Sequence, residues 1–177
     1  MSEKKTKGLL LVLTGNGKGK TTSALGLAFR ALGHGHKVSM IQFLKGSWKY
    51  GEMESAKSFS HLLDFHVMGR GFTWKSDDIE KDIVVACEAW EFAKKTIQDN
   101  KHHLVILDEL TYLINYKMIA EQEIIDTLLA RPEAMHVVVT GRGASENLIR
   151  AADLVTEMQE IKHPYKNGIK AQKGIEF

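Results

Sequence analysis

The chain has 177 residues, enough for a full core without disulfide or metal staples, and its single cysteine, Cys87, excludes an intramolecular disulfide. Lys and Arg total 24 against 22 Asp and Glu, a net charge of +2 that carries no footprint for nucleic acid. No apolar run approaches the ~18 residues of a membrane span, and the charged start leads into too short an apolar stretch for a signal peptide, so one cytoplasmic domain over residues 1–177 is expected.

The first predicted strand is Gly8–Thr14, and directly after it stands Thr14-Gly-Asn-Gly-Lys-Gly-Lys-Thr-Thr22. A glycine-rich turn between a buried strand and a helix aims several backbone N–H groups at one point. Gly15, Asn16, Gly17, Lys18 and Gly19 form that turn; Lys20 sets an ammonium beside it, and Thr21 and Thr22 open the helix with hydroxyls. The positive end of the helix dipole adds to the pull on an anion. The stretch reads as a triphosphate cradle, with Thr21 able to hold a magnesium ion. Thr14 stands where the usual pattern has glycine, with Gly15 and Gly17 supplying the freedom instead.

Helix 19–33 follows, ending at Gly33. Further strands are expected at Lys37–Phe43, Leu63–Met68, Leu104–Leu107, His136–Thr140 and Leu154–Gln159, and further helices at 78–99, 121–130 and 144–152. The longest helix carries Ile79, Ile83, Cys87, Trp90, Ala93 and Ile97 on one stripe, and Asp77 with Glu80 suits a capping box. Several strand runs are continuously apolar, as in strands covered on both faces. The alternation predicts an α/β fold: a doubly wound, mainly parallel sheet with helices on both faces and ligands at the C-terminal strand ends.

Between these elements lie four groups of interest. Asp108 and Glu109 end the run Leu104–Leu107, where an acid reaches a magnesium ion beside the phosphate loop, directly or through water. Arg142, flanked by Gly141 and Gly143, suits either a bidentate phosphate contact or a surface turn. Phe72 and Trp74, between glycines and after the third strand, suit either partial core or an aromatic wall for a flat ligand. His34, His36, His102 and His103 read as loop polar residues, with no zinc spacing.

These stretches, with Gln42-Phe-Leu-Lys-Gly46, Gly71-Phe-Thr-Trp74, Leu107-Asp-Glu-Leu-Thr-Tyr112, Thr140-Gly-Arg-Gly143, Lys162-His163, Gly168-Ile-Lys-Ala-Gln172 and Gly174-Ile175, closely resemble the P-loop type of ATP:corrinoid adenosyltransferases of the cobalamin pathway. The resemblance implies a P-loop NTPase-like fold and a transferase that moves the 5′-deoxyadenosyl group of ATP to Co(I) of a corrinoid, releasing triphosphate. ATP would lie reversed along the loop formed by residues 15–22, with Lys20 and the loop N–H groups stabilising the leaving group. Glu109 and Arg142 would join the nucleotide site, and Thr21, Asp108 and Glu109 would serve Mg2+ or Mn2+. Phe72 and Trp74 would border the corrinoid and displace its lower axial ligand, which eases reduction of cobalt. The family pattern further implies a homodimer served by reduced flavin or a flavoprotein. Members often carry a longer N-terminal extension that folds over the active site; only a short segment precedes Gly8 here.

Two other readings stand beside this one. A small-molecule or nucleotide kinase needs several arginines around the transferring phosphoryl group, and Arg30, Arg70, Arg131, Arg142 and Arg150 form no cluster in sequence. A non-catalytic ATP switch or DNA-binding module of similar fold is disfavoured, for the DNA-binding case, by the near-neutral charge. Kinase or switch yields ADP, whereas an adenosyltransferase yields triphosphate.

Overall fold

The computed structural model describes residues 7–44, 50–69 and 79–177. Six strands form one sheet: β1 (Leu10–Thr14), β2 (Val38–Gln42), β3 (Leu63–Val67), β4 (Leu104–Asp108), β5 (His136–Thr140) and β6 (Leu154–Glu157). Their order is β3-β2-β4-β5-β1-β6, and every pairing is parallel. All six were predicted from the apolar runs, and the expected α/β architecture is the observed one.

The helices are α1 (Lys20–Gly33), α2 (Gly51–Lys57), α3 (Ile79–Gln98), α4 (Thr111–Asn115), α5 (Glu121–Leu129) and α6 (Glu146–Ala151), and a 3₁₀ turn spans Pro164–Asn167. Strand alternation divides the core into two layers. Leu13, Val38, Met40, Leu104, Ile106 and Val138 pack with Ala24, Ala28 and Leu32 of α1 and Ala56 of α2. On the other face, Val12, Ile41, Val105, Leu107, Val137 and Val139 meet Ala89, Trp90, Ala93 and Ile97 of α3, Ile124 and Leu128 of α5, and Leu148 of α6. Trp90, read as core, is buried, and its indole Nε1 donates to Glu123 Oε1 at 2.8 Å, tying α3 to α5. The strand β6 differs from expectation. Its four residues are exposed, because it is the sheet edge next to β1.

Helices α2 and α4 carry no clear sequence signal, since each is short and buries few residues. The helix expected over 144–152 is trimmed at its start because Ser145 caps it, accepting from Leu148 N–H at 3.2 Å. The expected cap of α3 at Asp77 lies outside the described residues.

Candidate functional site

A polar residue closes each of four apolar strands: Thr14 on β1, Gln42 on β2, Asp108 on β4 and Thr140 on β5. All four are buried, at 6%, 0%, 1% and 0% exposure. Gln42 pairs in register with Asp108, and Asp108 shares the α1 face of the sheet with Leu104 and Ile106. Asp108 is the hub of this row. Its Oδ1 accepts the hydroxyl protons of Thr21 at 2.8 Å and Thr140 at 2.7 Å, and its Oδ2 accepts Gln42 Nε2 at 3.0 Å. The N-terminus of α1 is thereby fastened to the centre of the sheet.

Lys20, the first residue of α1, is 7% exposed. Its ammonium donates to the carbonyls of Gly15 at 2.9 Å and Gly17 at 2.7 Å, holding the loop curled and leaving one of its three protons for an anion. Burial pushes its pKa below the ordinary lysine value; Glu109 and Asp108 oppose the shift, and Arg142 and Lys18 add to it. Four charged groups are therefore within electrostatic reach of this one ammonium.

The loop is also fastened from outside. Gly17 N–H donates to Met158 O at 2.6 Å, and Met158 N–H donates to Thr14 O at 2.8 Å. A Cβ on Gly15 would stand 2.4 Å from Met158 O, and one on Gly17 would stand 2.7 Å from Gln159 O. Gly15 has φ 94°, a left-handed value, whereas Gly17 is required by this close backbone approach. Lys18 forms an ion pair with Glu176, so the C-terminal segment crosses the loop as a strap. Burial lowers the Lys18 pKa.

Beside the loop opens a cleft of about 670 Å³ lined by Asn16, Arg142, Glu157, Gln159, Glu160 and Lys166. The backbone of Arg142 is clamped, its carbonyl accepting from Thr111 Oγ1 at 2.7 Å and Asn115 Nδ2 at 3.0 Å. Its exposed side chain lines the cleft. Glu160 pairs with Lys166, which holds its carboxyl below the usual range.

The structure thus brings together Gly15, Asn16, Gly17, Lys18, Gly19, Lys20, Thr21, Asp108, Glu109 and Arg142; Thr22 is an exposed residue on the first turn of α1. Phe72 and Trp74 lie outside the described residues. The sequence reading assigned no part in the site to Gln42 and Thr140 individually, nor to the cleft residues 157–160 and 166. For Gln42 and Thr140 a signal existed: a polar residue terminating an apolar run that begins in a buried parallel strand.

The donors around Thr21 are all oxygens, the chemistry of a hard divalent cation. Thr21 gives its proton to Asp108, which leaves its oxygen lone pairs for such an ion. Gln42 Oε1 is buried with no hydrogen-bond partner among the described residues, a fit for a donor from a cation's water shell. No group of three or more His, Cys, Asp or Glu converges among the described residues.

The model of the family ATP:corrinoid adenosyltransferase BtuR/CobO/CobP matches residues 6–177. A corrinoid adenosyltransferase of Pseudomonas aeruginosa is 48% identical over 171 residues, covering 97% of this chain and 84% of that protein. One of Escherichia coli K12 is 42% identical, covering 97% and 86%. Corrinoid adenosyltransferase CobA of Salmonella typhimurium is likewise 42% identical over 171 residues, with the same coverage. Among solved structures, the flagellar accessory protein FlaH of Methanocaldococcus jannaschii superposes with a TM-score of 0.58 at 13% identity, over 85% of this chain and 71% of that one, a likeness of fold.

Proposed function

The chain belongs to the ATP:corrinoid adenosyltransferase BtuR/CobO/CobP family, and from that membership we propose how its phosphate loop serves adenosyl transfer. The chain is an enzyme that uses ATP to adenosylate a corrinoid; the kinase and switch readings are not favoured. The whole of 1–177 acts as one such domain.

The observation that carries the mechanism is the placing of Lys20 and Thr21 over the buried row of Gln42, Asp108 and Thr140. Co(I) of the substrate attacks C5′ of ATP; the Co–C bond forms as the C5′–O bond breaks, and triphosphate leaves with the electron pair. No phosphoryl group moves, so the loop's work is to stabilise a leaving group. Lys20 offers its remaining proton to that charge, and the loop N–H groups and the α1 dipole add to it. Thr21, Asp108 and Glu109 would hold Mg2+ or Mn2+, which when bound neutralises charge on the triphosphate. Arg142 and Asn16 face the cleft beside the loop, whose volume suits a nucleoside. ATP lies reversed along the loop, the orientation the family resemblance implies. Phe72 and Trp74 border the corrinoid and displace its lower ligand, the role the family resemblance implies. The enzyme works as a cytoplasmic homodimer, and a reduced flavin or flavoprotein delivers the electron that takes the corrinoid's cobalt to Co(I).

Phosphorus NMR of a reaction with ATP, Mg2+ and chemically reduced cobalamin tests this reading. Intact triphosphate is the expected phosphorus product. Corrinoid-dependent release of ADP and phosphate without triphosphate would overturn it.

A further inference from the structure

Successive residues of a strand point to opposite faces, so two consecutive acids at a strand end should serve two different sides of the sheet. Asp108 lies on the α1 face. Glu109, were the strand to continue, would point to the face of α3 and α5. It does not continue: Glu109 has φ 65°, one of three non-glycine residues with positive φ among those described. Glutamate has no intrinsic preference for this region, so the surroundings must impose it. The left-handed turn takes Glu109 out of that alternation directly after Asp108 at the end of β4.

One side chain holds the turn. Thr140 Oγ1 accepts the backbone N–H of Glu109 at 2.9 Å and donates its own proton to Asp108 Oδ1 at 2.7 Å. Thr140 is wholly buried, so water cannot replace it, and its β-branch fixes the position of the hydroxyl. A valine would fill the same space and satisfy neither neighbour.

We propose that Thr140 is a positioning residue for the metal–triphosphate site, turning Glu109 out of strand alternation so that two consecutive acids face one centre. The inference rests on the magnesium reading given above. It assigns a task to the first residue of Thr140-Gly-Arg-Gly143 that is separate from any phosphate contact by Arg142.

The test uses the full chain with Mn2+ as probe, its binding in the presence of ATP read from the loss of the free-ion electron paramagnetic resonance signal, and metal-free ATP binding read by equilibrium dialysis. Thr140→Val is expected to weaken Mn2+ binding by about tenfold or more while leaving metal-free ATP binding within about twofold, and Thr140→Ser to restore Mn2+ binding to within about threefold of the natural chain. If Thr140→Val fails to fold by circular dichroism, Thr140→Cys, a weak donor of similar size, carries the same expectation of loss. Natural Mn2+ affinity in a folded Thr140→Val, or in a folded Thr140→Cys where valine is not tolerated, would overturn the inference. So would a folded Thr140→Ser as defective as the valine variant. Glu109→Gln separates the two levels. If it binds Mn2+ as the natural chain does, the magnesium reading falls and this inference with it. If it loses Mn2+ while Thr140→Val does not, only the inference on Thr140 falls.

Discussion

Lys20 is the residue on which sequence and structure converge most directly. Its place after Gly19 marked it as the phosphate lysine, and in the folded chain it curls the loop by donating to Gly15 and Gly17 before any nucleotide arrives. Lys20→Ala therefore removes a staple of the loop and, on the mechanism proposed above, a charge aimed at the leaving group. Transfer is expected to fall by about a hundredfold or more with the melting temperature little changed, because few core contacts are lost. Near-normal turnover in the folded variant would exclude Lys20 from the mechanism. Thr21 and Asp108 were equally legible, since each ends or begins an element whose pattern is plain. Glu109 was legible as an acid beside Asp108 but not in its direction, because nothing in a glutamate announces a left-handed backbone. Gly17 was read as a source of freedom in the loop; the backbone of Met158 and Gln159, some 140 positions along the chain, also requires a glycine there, and local sequence carries no trace of that contact.

At the scale of elements, the strands were readable because continuous apolar runs in a parallel sheet are buried on both faces. Helices α2 and α4 were not, since seven and five residues cannot establish a period. Two of the histidines read as loop residues, His36 and His103, form a stack with His136 at the N-terminal ends of β4 and β5. His36 and His103 rings lie 3.8 Å apart and nearly parallel, and His103 and His136 lie 4.9 Å apart. His136 Nδ1 accepts Leu9 N–H at 3.1 Å, just ahead of β1. Burial, His36 and His136 hold His103 below its ordinary pKa; burial, Arg131 and His36 do the same for His136. The folded protein therefore binds fewer protons than the unfolded chain below the ordinary value of 6.5. Stability is whole above that value and falls as pH drops through it, levelling once the folded imidazoles are protonated. Urea midpoints measured from pH 7.5 to 5.5 should decline over that window, and less so in His103→Gln. A natural chain with a flat profile would contradict this account.

At the scale of the whole molecule, the order β3-β2-β4-β5-β1-β6 sets the first strand between the last two. The phosphate loop leaves β1, and its outer side is completed by residues 157–159 and by Glu176 near the C-terminus. A chain ending at Ala152 keeps every glycine of the phosphate loop, Lys20, Thr21 and Asp108, yet lacks the edge strand and the strap. It is expected to lose ATP binding in equilibrium dialysis, and retention of natural affinity would show the strap to be dispensable.

The same sandwiching bears on how the protein is born. As the chain emerges from the ribosome, β1 comes out first and finds neither neighbour: both β5 and β6 are still to be translated. The apolar run Leu9–Leu13 must wait, exposed or held by a chaperone, until β5 and β6 have followed it. The most nucleotide-like signature of the sequence is thus the last part to become competent. A nascent chain carries the motif well before it carries the two strands that flank β1.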